Sequence, residues 1–287
     1  MSIRMRWLGY VCFEIVLPSG KVLVIDPYID HSSTAPIKCD EVTGADYIAV
    51  THGHYDHITD VGALVERFGS KVICSHDVAA PLTKLFGLDP AGIIEVTAGD
   101  TADLDGLGIE VRRGEHIDLS GVMESMYERV TGQDVDPEMT AAQVREAVMP
   151  VLSRTYRPAL REMMDRIGDV GLVGGEQLTF VFVMPGNLRV LVFSSGPYDS
   201  LRDEVTAAGA NVYLGQLGGV DPALAAEFAA LSGAELVIPT HHDGTGEKNS
   251  RSLAAEMAKQ LAARSPARFL DAVPGRWYEI GVAATAL

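Results

Sequence analysis

A histidine-rich loop between two apolar segments constrains the fold of this chain more than any other feature. The loop reads Thr51-His52-Gly53-His54-Tyr55-Asp56-His57, which places four potential metal ligands in the order His-x-His-x-Asp-His. The apolar run at 47–50 before it is typical of a buried strand, and residues 58–68 after it carry apolar side chains at helical spacing. The sequence therefore predicts a strand-to-helix loop that gathers polar side chains at one place.

The residue types in this loop predict a metal site. Alternate residues of an extended segment point to the same side, so His52 and His54 can face one ion while Asp56 and His57 turn toward a neighbouring one. Imidazole and carboxylate ligands together suit zinc, manganese or iron better than calcium or magnesium. We expect one or two ions, with zinc (Zn2+) favoured and Mn2+ or Fe2+ as alternatives.

Composition restricts the partners of the chain. Its 287 residues, 47% of them hydrophobic, allow a sizeable core in one large domain or two small ones. The net charge of −16 argues against a nucleic-acid partner, because phosphate binding needs clustered Lys and Arg, but it leaves room for a small-molecule substrate. Three separated cysteines, no signal-peptide core and no run of about 18 apolar residues predict a cytoplasmic protein without a membrane partner.

Strand-like and helix-like segments alternate along the chain. Strands are predicted at 4–8, 12–17, 22–25, 47–50, 71–75, 109–113, 178–184, 188–193, 211–214 and 235–239. Helices are predicted at 58–68, 76–86, 199–208, 221–232 and 249–263. This order is typical of an α/β protein with two sheets and helices packed outside them.

The segment 120–172 differs in character and is predicted to be a helical insertion, with helical patterns beginning near Pro137 and covering 157–167. It is rich in methionine, tyrosine and arginine, namely Met123, Met126, Tyr127, Met163, Met164, Arg129, Arg154, Arg157 and Arg161. Two interpretations stay open. These side chains line a substrate pocket in which Arg binds a carboxylate or phosphate, or they pack on a sheet edge or form a homo-oligomer contact.

Further histidines follow predicted strands, where sites assemble in layered sheets. His116 follows the strand at 109–113, and His241 and His242 follow the apolar run at 236–239. His31, shortly after Asp26-Pro27, is either loop surface or a pocket residue. His76 begins a predicted helix away from the loop, and we expect it to be structural.

With these pieces in place, the chain resembles the metallo-β-lactamase-fold hydrolase superfamily, in particular the branch that includes the L-ascorbate-6-phosphate lactonase-like proteins. The matching pieces follow the family's order, namely Trp7-Leu8-Gly9, Asp26-Pro27, the His-x-His-x-Asp-His loop, His116, Phe193-Ser194-Ser195-Gly196 and Pro239-Thr240-His241. The resemblance implies a four-layer αββα sandwich that forms a single domain over 1–287, with the helical insertion at 120–172 within it.

The resemblance also implies a set of ligands. It assigns His52, His54 and His116 to a first metal, and Asp56, His57 and His241 to a second. His242 is the alternative to His241. If His241 is the ligand, His242 and Asp243 are expected behind the ligands or facing the substrate.

One position departs from the family's pattern. The family places an aspartate that bridges both metals directly after the glycine of Phe193-Ser194-Ser195-Gly196, and this chain has Pro197 there, which offers no ligand atom. Asp199 would either reach the site on a re-routed loop or cap the helix that starts near Ser200. The departure predicts a weakened or shifted second metal.

These features predict a metal-dependent hydrolase. A metal-bound hydroxide attacks a small lactone, ester or amide, and Asp56 orients the nucleophile or passes its proton to the leaving group. The sequence shows no serine or cysteine nucleophile motif. A phosphodiesterase of the same fold is one alternative, and a non-catalytic metal-binding or ligand-sensing protein is the other.

Overall fold

The structure is a computed structural model that describes residues 2–118, 120–154, 156–172, 174–245 and 247–281. The strands are β1 (Ser2–Gly9), β2 (Cys12–Val16), β3 (Val22–Ile25), β4 (Tyr47–Ala49), β5 (Lys71–Ser75), β6 (Ile93–Val96), β7 (Thr101–Leu104), β8 (Leu107–Arg113), β9 (Leu178–Met184), β10 (Leu188–Phe193), β11 (Val212–Gln216), β12 (Leu236–Thr240), β13 (Arg268–Phe269) and β14 (Trp277–Gly281). The helices are α1 (Tyr55–Ile58), α2 (Val61–Phe68), α3 (His76–Phe86), α4 (Ser120–Thr131), α5 (Ala141–Ser153), α6 (Pro158–Asp169), α7 (Arg202–Ala207), α8 (Pro222–Leu231) and α9 (Glu247–Ala262).

The strands form two seven-stranded sheets. The first has the order β14-β1-β2-β3-β4-β5-β6, and the second has the order β13-β12-β11-β10-β9-β8-β7. In the first sheet, β14 to β3 are antiparallel and β3 to β6 are parallel. In the second sheet, β13 to β10 are parallel and β10 to β7 are antiparallel. Parallel neighbours end at the same edge of a sheet, so the loops that leave them can meet there.

Alternation along the strands divides the apolar side chains between two sides of each sheet. On β3, Leu23 and Ile25 belong to the core between the sheets, whereas Val22 and Val24 pack against helices. Phe228 of α8 covers the outer face of the second sheet. The predicted four-layer αββα sandwich is therefore confirmed.

Residues between β8 and β9 form the helices α4, α5 and α6. α5 begins at Ala141, a few residues after the predicted start near Pro137. Met163 and Ile167 of α6 are buried in the apolar cluster that joins the first sheet to its covering helices. This contact brings the end of the segment toward the histidine-rich loop.

Two predicted helices differ from the structure in their first turns. The helix predicted over 58–68 is divided into α1 and α2, because the Asp60 carboxylate between them accepts hydrogen bonds from Ile29 N at 2.7 Å and Thr59 Oγ1 at 3.0 Å. The helix predicted over 199–208 begins as the 3-10 turn Asp199–Leu201, followed by α7.

Among the helices of the described ranges, none combines the length and the apolar character that crossing a bilayer requires.

Candidate metal centre

Two groups of potential ligands meet beside the histidine-rich loop. His52, His54 and His116 form one group, called here the histidine triad, and Asp56, His57 and His241 form the other, called the mixed triad. In each triad, one ligand atom of every residue lies within 4.8 Å of the others. The triads adjoin each other, because the ring centroids of His52 and His57 are 4.0 Å apart. The structure thus brings together all six residues assigned to the two metals.

The local backbone explains why neighbouring residues of one loop serve different triads. Gly53 N donates to Gly174 O at 2.6 Å and holds the His-x-His segment extended. An added Cβ at Gly53 would lie 2.5 Å from Leu172 Cδ1, so this close approach requires glycine. His54 precedes the first turn of α1, which redirects Asp56 and His57.

The histidine triad consists of imidazoles held by neutral partners. His52 Nε2 lies 2.9 Å from His54 Nδ1, and His52 Nδ1 lies 3.1 Å from Thr51 Oγ1. His116 Nδ1 donates to Ile117 O at 2.8 Å, which leaves its Nε2 for a ligand. Burial lowers the pKa of His52, and the neighbouring imidazoles lower it further; burial also lowers the pKa of His116. These rings are therefore neutral at neutral pH, which is the form that binds metals.

The mixed triad contains charged groups and is supported by a buried carboxylate. Asp26 is fully buried, and its Oδ2 lies 2.8 Å from His57 Nδ1. On the other side, Asp56 Oδ2 lies 3.0 Å from His241 Nε2 and 3.8 Å from His57 Nε2. Burial lowers the pKa of His57, but the two aspartates outweigh it and the net shift is upward. Burial alone would raise the pKa of Asp56, yet His57 and His241 bring it below its usual range.

Backbone geometry selects His241 rather than His242 for the mixed triad. His241 has a positive φ of 62°, and its N–H donates to Tyr10 O at 2.9 Å. An added Cβ at Gly218 would lie 1.9 Å from His241 O, so this turn depends on glycine. His242 is buried, stacked on Trp7 at a centroid distance of 5.3 Å. The structure thus places His242 away from the site.

Two other predicted site residues have partners that account for them. Asp243 accepts hydrogen bonds from Tyr10 N at 3.0 Å and from Thr34 Oγ1, so it fixes the turn between β1 and β2. His31 is half-buried and lies near Asp60, outside both triads.

The segment after β10 contributes to the site by binding the backbone of the loop that carries His116. Pro197 occupies the position where the family's pattern has an aspartate. The next residue, Tyr198, donates from its hydroxyl to His116 O at 3.0 Å and accepts from Asp118 N at 2.6 Å. The Asp199 side chain is 91% exposed and pairs with Arg202 at 2.7 Å, so it fulfils neither predicted role. This segment therefore holds the loop of His116.

Four tyrosines, called here the tyrosine cluster, extend outward from the mixed triad. They are Tyr10, Tyr28, Tyr55 and Tyr156. The Tyr10 ring lies edge-on to His241 at a centroid distance of 4.8 Å. Burial raises the pKa of Tyr10, Tyr28 and Tyr55, and the charge of Asp56 adds to each shift. Their hydroxyls therefore stay protonated at neutral pH.

A third group of potential ligands, Asp30, Cys39 and Asp60, lies apart from the two triads. Hydrogen bonds among these three residues explain why their side chains lie together. Asp60 Oδ1 accepts from Cys39 Sγ at 3.3 Å, and Asp30 Oδ1 accepts from Cys39 N at 3.0 Å. This group ties together the loops around α2.

Sequence reasoning missed several residues that support the site. Asp26 was noted as part of a motif, but its role behind His57 was not predicted. The signal was available, because Asp26 directly follows β3, the parallel neighbour of β4. Gly218 and the tyrosine cluster offered no comparable signal, because their contacts join distant parts of the chain.

Comparison with known proteins agrees with this architecture. A family model described as a beta-lactamase superfamily domain matches residues 21–148. A protein of Metallosphaera sedula described as a UPF0173 metal-dependent hydrolase is 31% identical over 127 residues, which cover 42% of this chain and 56% of that protein. The aligned part thus spans about half the length of this relative.

Solved structures extend the similarity over nearly the whole chain. Igni18, described as a novel metallo hydrolase from the hyperthermophilic archaeon Ignicoccus hospitalis, is 18% identical and aligns with a TM-score of 0.67 over 99% of this chain and 100% of its own. YhfI from Bacillus subtilis, described as a metallo-beta-lactamase fold protein, is 13% identical and aligns with a TM-score of 0.58 over 97% of this chain and 99% of its own. The chain therefore has the metallo-β-lactamase fold.

Proposed function

We propose that this chain is a metal-dependent hydrolase that uses water to cleave a small lactone, ester or amide. The proposal rests on one observation, the meeting of the histidine triad and the mixed triad at one place. Three imidazoles on one side and the ionised Asp56 on the other provide ligands for a Lewis acid and a base for water.

The residues present fit an ion of the zinc class. Nitrogen and carboxylate donors in this proportion suit Zn2+, with Mn2+ and Fe2+ as alternatives. His57 and His116 each direct Nδ1 at an oxygen acceptor, Asp26 Oδ2 and Ile117 O, both at 2.8 Å. Such partners fix the ring orientation and tautomer of metal-binding histidines, which supports the assignment of both as ligands.

The chain's own groups provide the remaining chemistry. A bound ion of this class polarises a carbonyl group and makes water more acidic. Asp56, ionised between His57 and His241, can orient the attacking water and accept its proton. The C–O or C–N bond of the substrate then breaks, and the proton passes to the leaving group.

The names of similar proteins support the same class of activity. The Metallosphaera sedula relative carries the words metal-dependent hydrolase, and Igni18 carries the words metallo hydrolase. We extend that general activity to this chain as part of the proposal, and the choice of a lactone, ester or amide over a phosphodiester rests on the net charge of −16.

A substrate panel with metal-loaded protein tests the proposal. The protein is loaded with zinc, manganese or iron and assayed on lactones, esters, amides and bis(4-nitrophenyl) phosphate. His52→Ala and Asp56→Ala should each reduce turnover by about 10²–10⁴-fold, the range for a positioned acid–base group. His76→Ala is the matched control, because His76 is an exposed histidine paired with Glu95.

Each other outcome selects an alternative. Turnover of the phosphodiester alone would favour the phosphodiesterase. Bound metal without turnover of any substrate would favour a metal-binding or ligand-sensing protein. A turnover rate that is the same in the wild type and in both variants would exclude this site as the catalytic centre.

A further inference from the structure

The tyrosine cluster is assembled from four separate parts of the chain. Tyr10 lies in the turn between β1 and β2, Tyr28 follows β3, Tyr55 begins α1, and Tyr156 lies between α5 and α6. The rings form a continuous series in which Tyr10–Tyr28, Tyr28–Tyr55 and Tyr55–Tyr156 have centroid distances of 5.0, 5.8 and 6.2 Å. One end of the series is the contact with His241 at 4.8 Å. The rings thus lead from a candidate ligand to the segment that joins β8 to β9 of the second sheet.

The hydroxyl groups of the cluster differ from those of three other tyrosines. Tyr47, Tyr198 and Tyr278 each use the hydroxyl in a hydrogen bond within the chain. Within the described ranges, the four hydroxyls of the cluster make no such bond, and none of them is among the fully buried unsatisfied atoms. Tyr28 is buried, whereas Tyr10, Tyr55 and Tyr156 are half-buried, so the hydroxyls of these three are available to a molecule that approaches the mixed triad.

The surface of the cluster indicates what kind of molecule fits. The charged groups around it have both signs, because Arg161 donates to Tyr156 O at 3.2 Å and the Asp56 carboxylate acts on Tyr10, Tyr28 and Tyr55. The rings themselves offer aromatic surface and hydroxyl donors, which suit a substrate that carries an aromatic ring.

We propose that the tyrosine cluster binds the substrate beside the mixed triad and selects esters that carry an aromatic ring. This inference rests on the proposed hydrolase function and names its substrate class. Aromatic rings favour edge-on or offset contacts at centroid distances of about 4.5–7 Å, which is the spacing the cluster already shows. The hydroxyls donate to oxygens of the ester, and water adds to the acyl carbon while the alkoxy oxygen leaves with a proton as the alcohol.

Tyr156 is the residue to change. It is half-buried, it is not a candidate ligand, and its ring contact is with Tyr55 at the outer end of the series. Tyr127 of α4 is a matched control, because it is also a half-buried tyrosine between β8 and β9 but has no ring contact with the cluster among the described residues.

The experiment compares esters of equal acyl group in the zinc-loaded full chain. Benzyl acetate and ethyl acetate are assayed with the wild type, Tyr156→Ala and Tyr127→Ala. We expect the wild type to favour benzyl acetate in kcat/KM, and Tyr156→Ala to reduce that preference by about tenfold through KM. Tyr127→Ala should keep the preference within about twofold of the wild type.

A binding measurement separates the failure of this inference from the failure of the proposed function. Saturation-transfer NMR detects benzyl alcohol on the wild type and on Tyr156→Ala, with the thermal unfolding midpoint as a check on folding. Binding to the wild type that Tyr156→Ala abolishes, without hydrolysis of any ester, lactone or amide, would sustain the tyrosine site and defeat the hydrolase proposal. Equal kcat/KM for both esters in the wild type, or equal losses for both in Tyr156→Ala, would overturn the tyrosine site and leave the hydrolase proposal standing.

Discussion

The two triads have equal numbers of ligands but opposite electrostatic characters. The histidine triad contains three imidazoles and no carboxylate, and a hydroxyl and a backbone carbonyl support it. The mixed triad contains the ionised Asp56 and has the buried carboxylate of Asp26 behind it. A dication therefore finds compensating charge in the mixed triad, whereas the histidine triad can balance it only through an anionic fourth ligand such as hydroxide.

The triads are also not joined by a shared carboxylate. Within the described chain, the two groups have no residue in common, and Pro197 stands where the family's pattern has a bridging aspartate. Because no protein ligand couples the two positions, we expect each triad to bind its ion independently. The predictions below test this difference, beginning with the largest effect.

Removing one ligand from each triad separately tests independence. His54→Ala and His57→Ala should each lose one ion and keep the other, and each should lose activity on the order of 10³-fold, as expected for loss of a positioned catalytic group. Elemental analysis of the purified variants counts the ions. If either substitution removes both ions, the two triads bind their ions together and not independently.

Asp26→Asn tests the support behind the mixed triad. The amide removes the negative charge that lies 2.8 Å from His57 Nδ1, so the metal affinity of the mixed triad should fall by about 10–100-fold. The histidine triad should lose less affinity, because Asp26 reaches His52 only through the Thr51 hydroxyl, which donates to Asp26 Oδ2 at 2.7 Å and lies 3.1 Å from His52 Nδ1. Chelator competition measures both affinities, and Asp199→Asn, at a 91% exposed carboxylate, is the control. An equal loss at both triads would assign Asp26 a general structural role.

Pro197→Asp tests whether the missing bridge explains independence. A carboxylate at this half-buried position should raise the affinity of the second ion by about tenfold and make binding of the two ions cooperative. Isothermal titration with Zn2+ measures both properties. Pro197→Ala is the matched control because it removes the proline without adding a ligand. Identical titrations for the two variants would show that this position does not govern coupling.

The smallest expected effect is on stability and comes from His76, which lies outside both triads. Its hydrogen bond with Glu95 raises the pKa of His76 in the folded protein above its ordinary value near 6.5. The pair therefore adds stability that is fully present below about pH 6.5 and is lost as the pH rises through the folded-state pKa. The unfolding midpoint of His76→Gln should fall below that of the wild type at pH 6 and match it at pH 9. A difference that grows with pH would contradict this sign.

Local patterns predicted the elements around the site well. The predicted bounds of β5, α3, β9 and β10 agree with the structure, because apolar periodicity and flanking turn residues are properties of a short segment. β6 and β7 were missed. Each lies at one edge of its sheet and is largely half-exposed, so it lacks a strong apolar alternation.

The site was predictable only where its residues are neighbours in the sequence. The order of ligands within 52–57 is visible in the sequence. The choice between His241 and His242 depends on a positive φ and on the carbonyl of Tyr10, which comes from the opposite end of the chain. The position of the Asp199 side chain depends on its ion pair with Arg202 and on the path of the loop. Sequence spacing predicts neither of them.

Both triads draw residues from both sheets. His116 follows β8 and His241 follows β12 of the second sheet, whereas their partners follow β4 of the first. His241 lies 185 residues after Asp56 in the sequence. Each ion would thus link the first sheet to the second. It would add about 4 kcal/mol to the free energy of unfolding when free metal exceeds its Kd a thousandfold. Metal loading would then also report that the two sheets have docked.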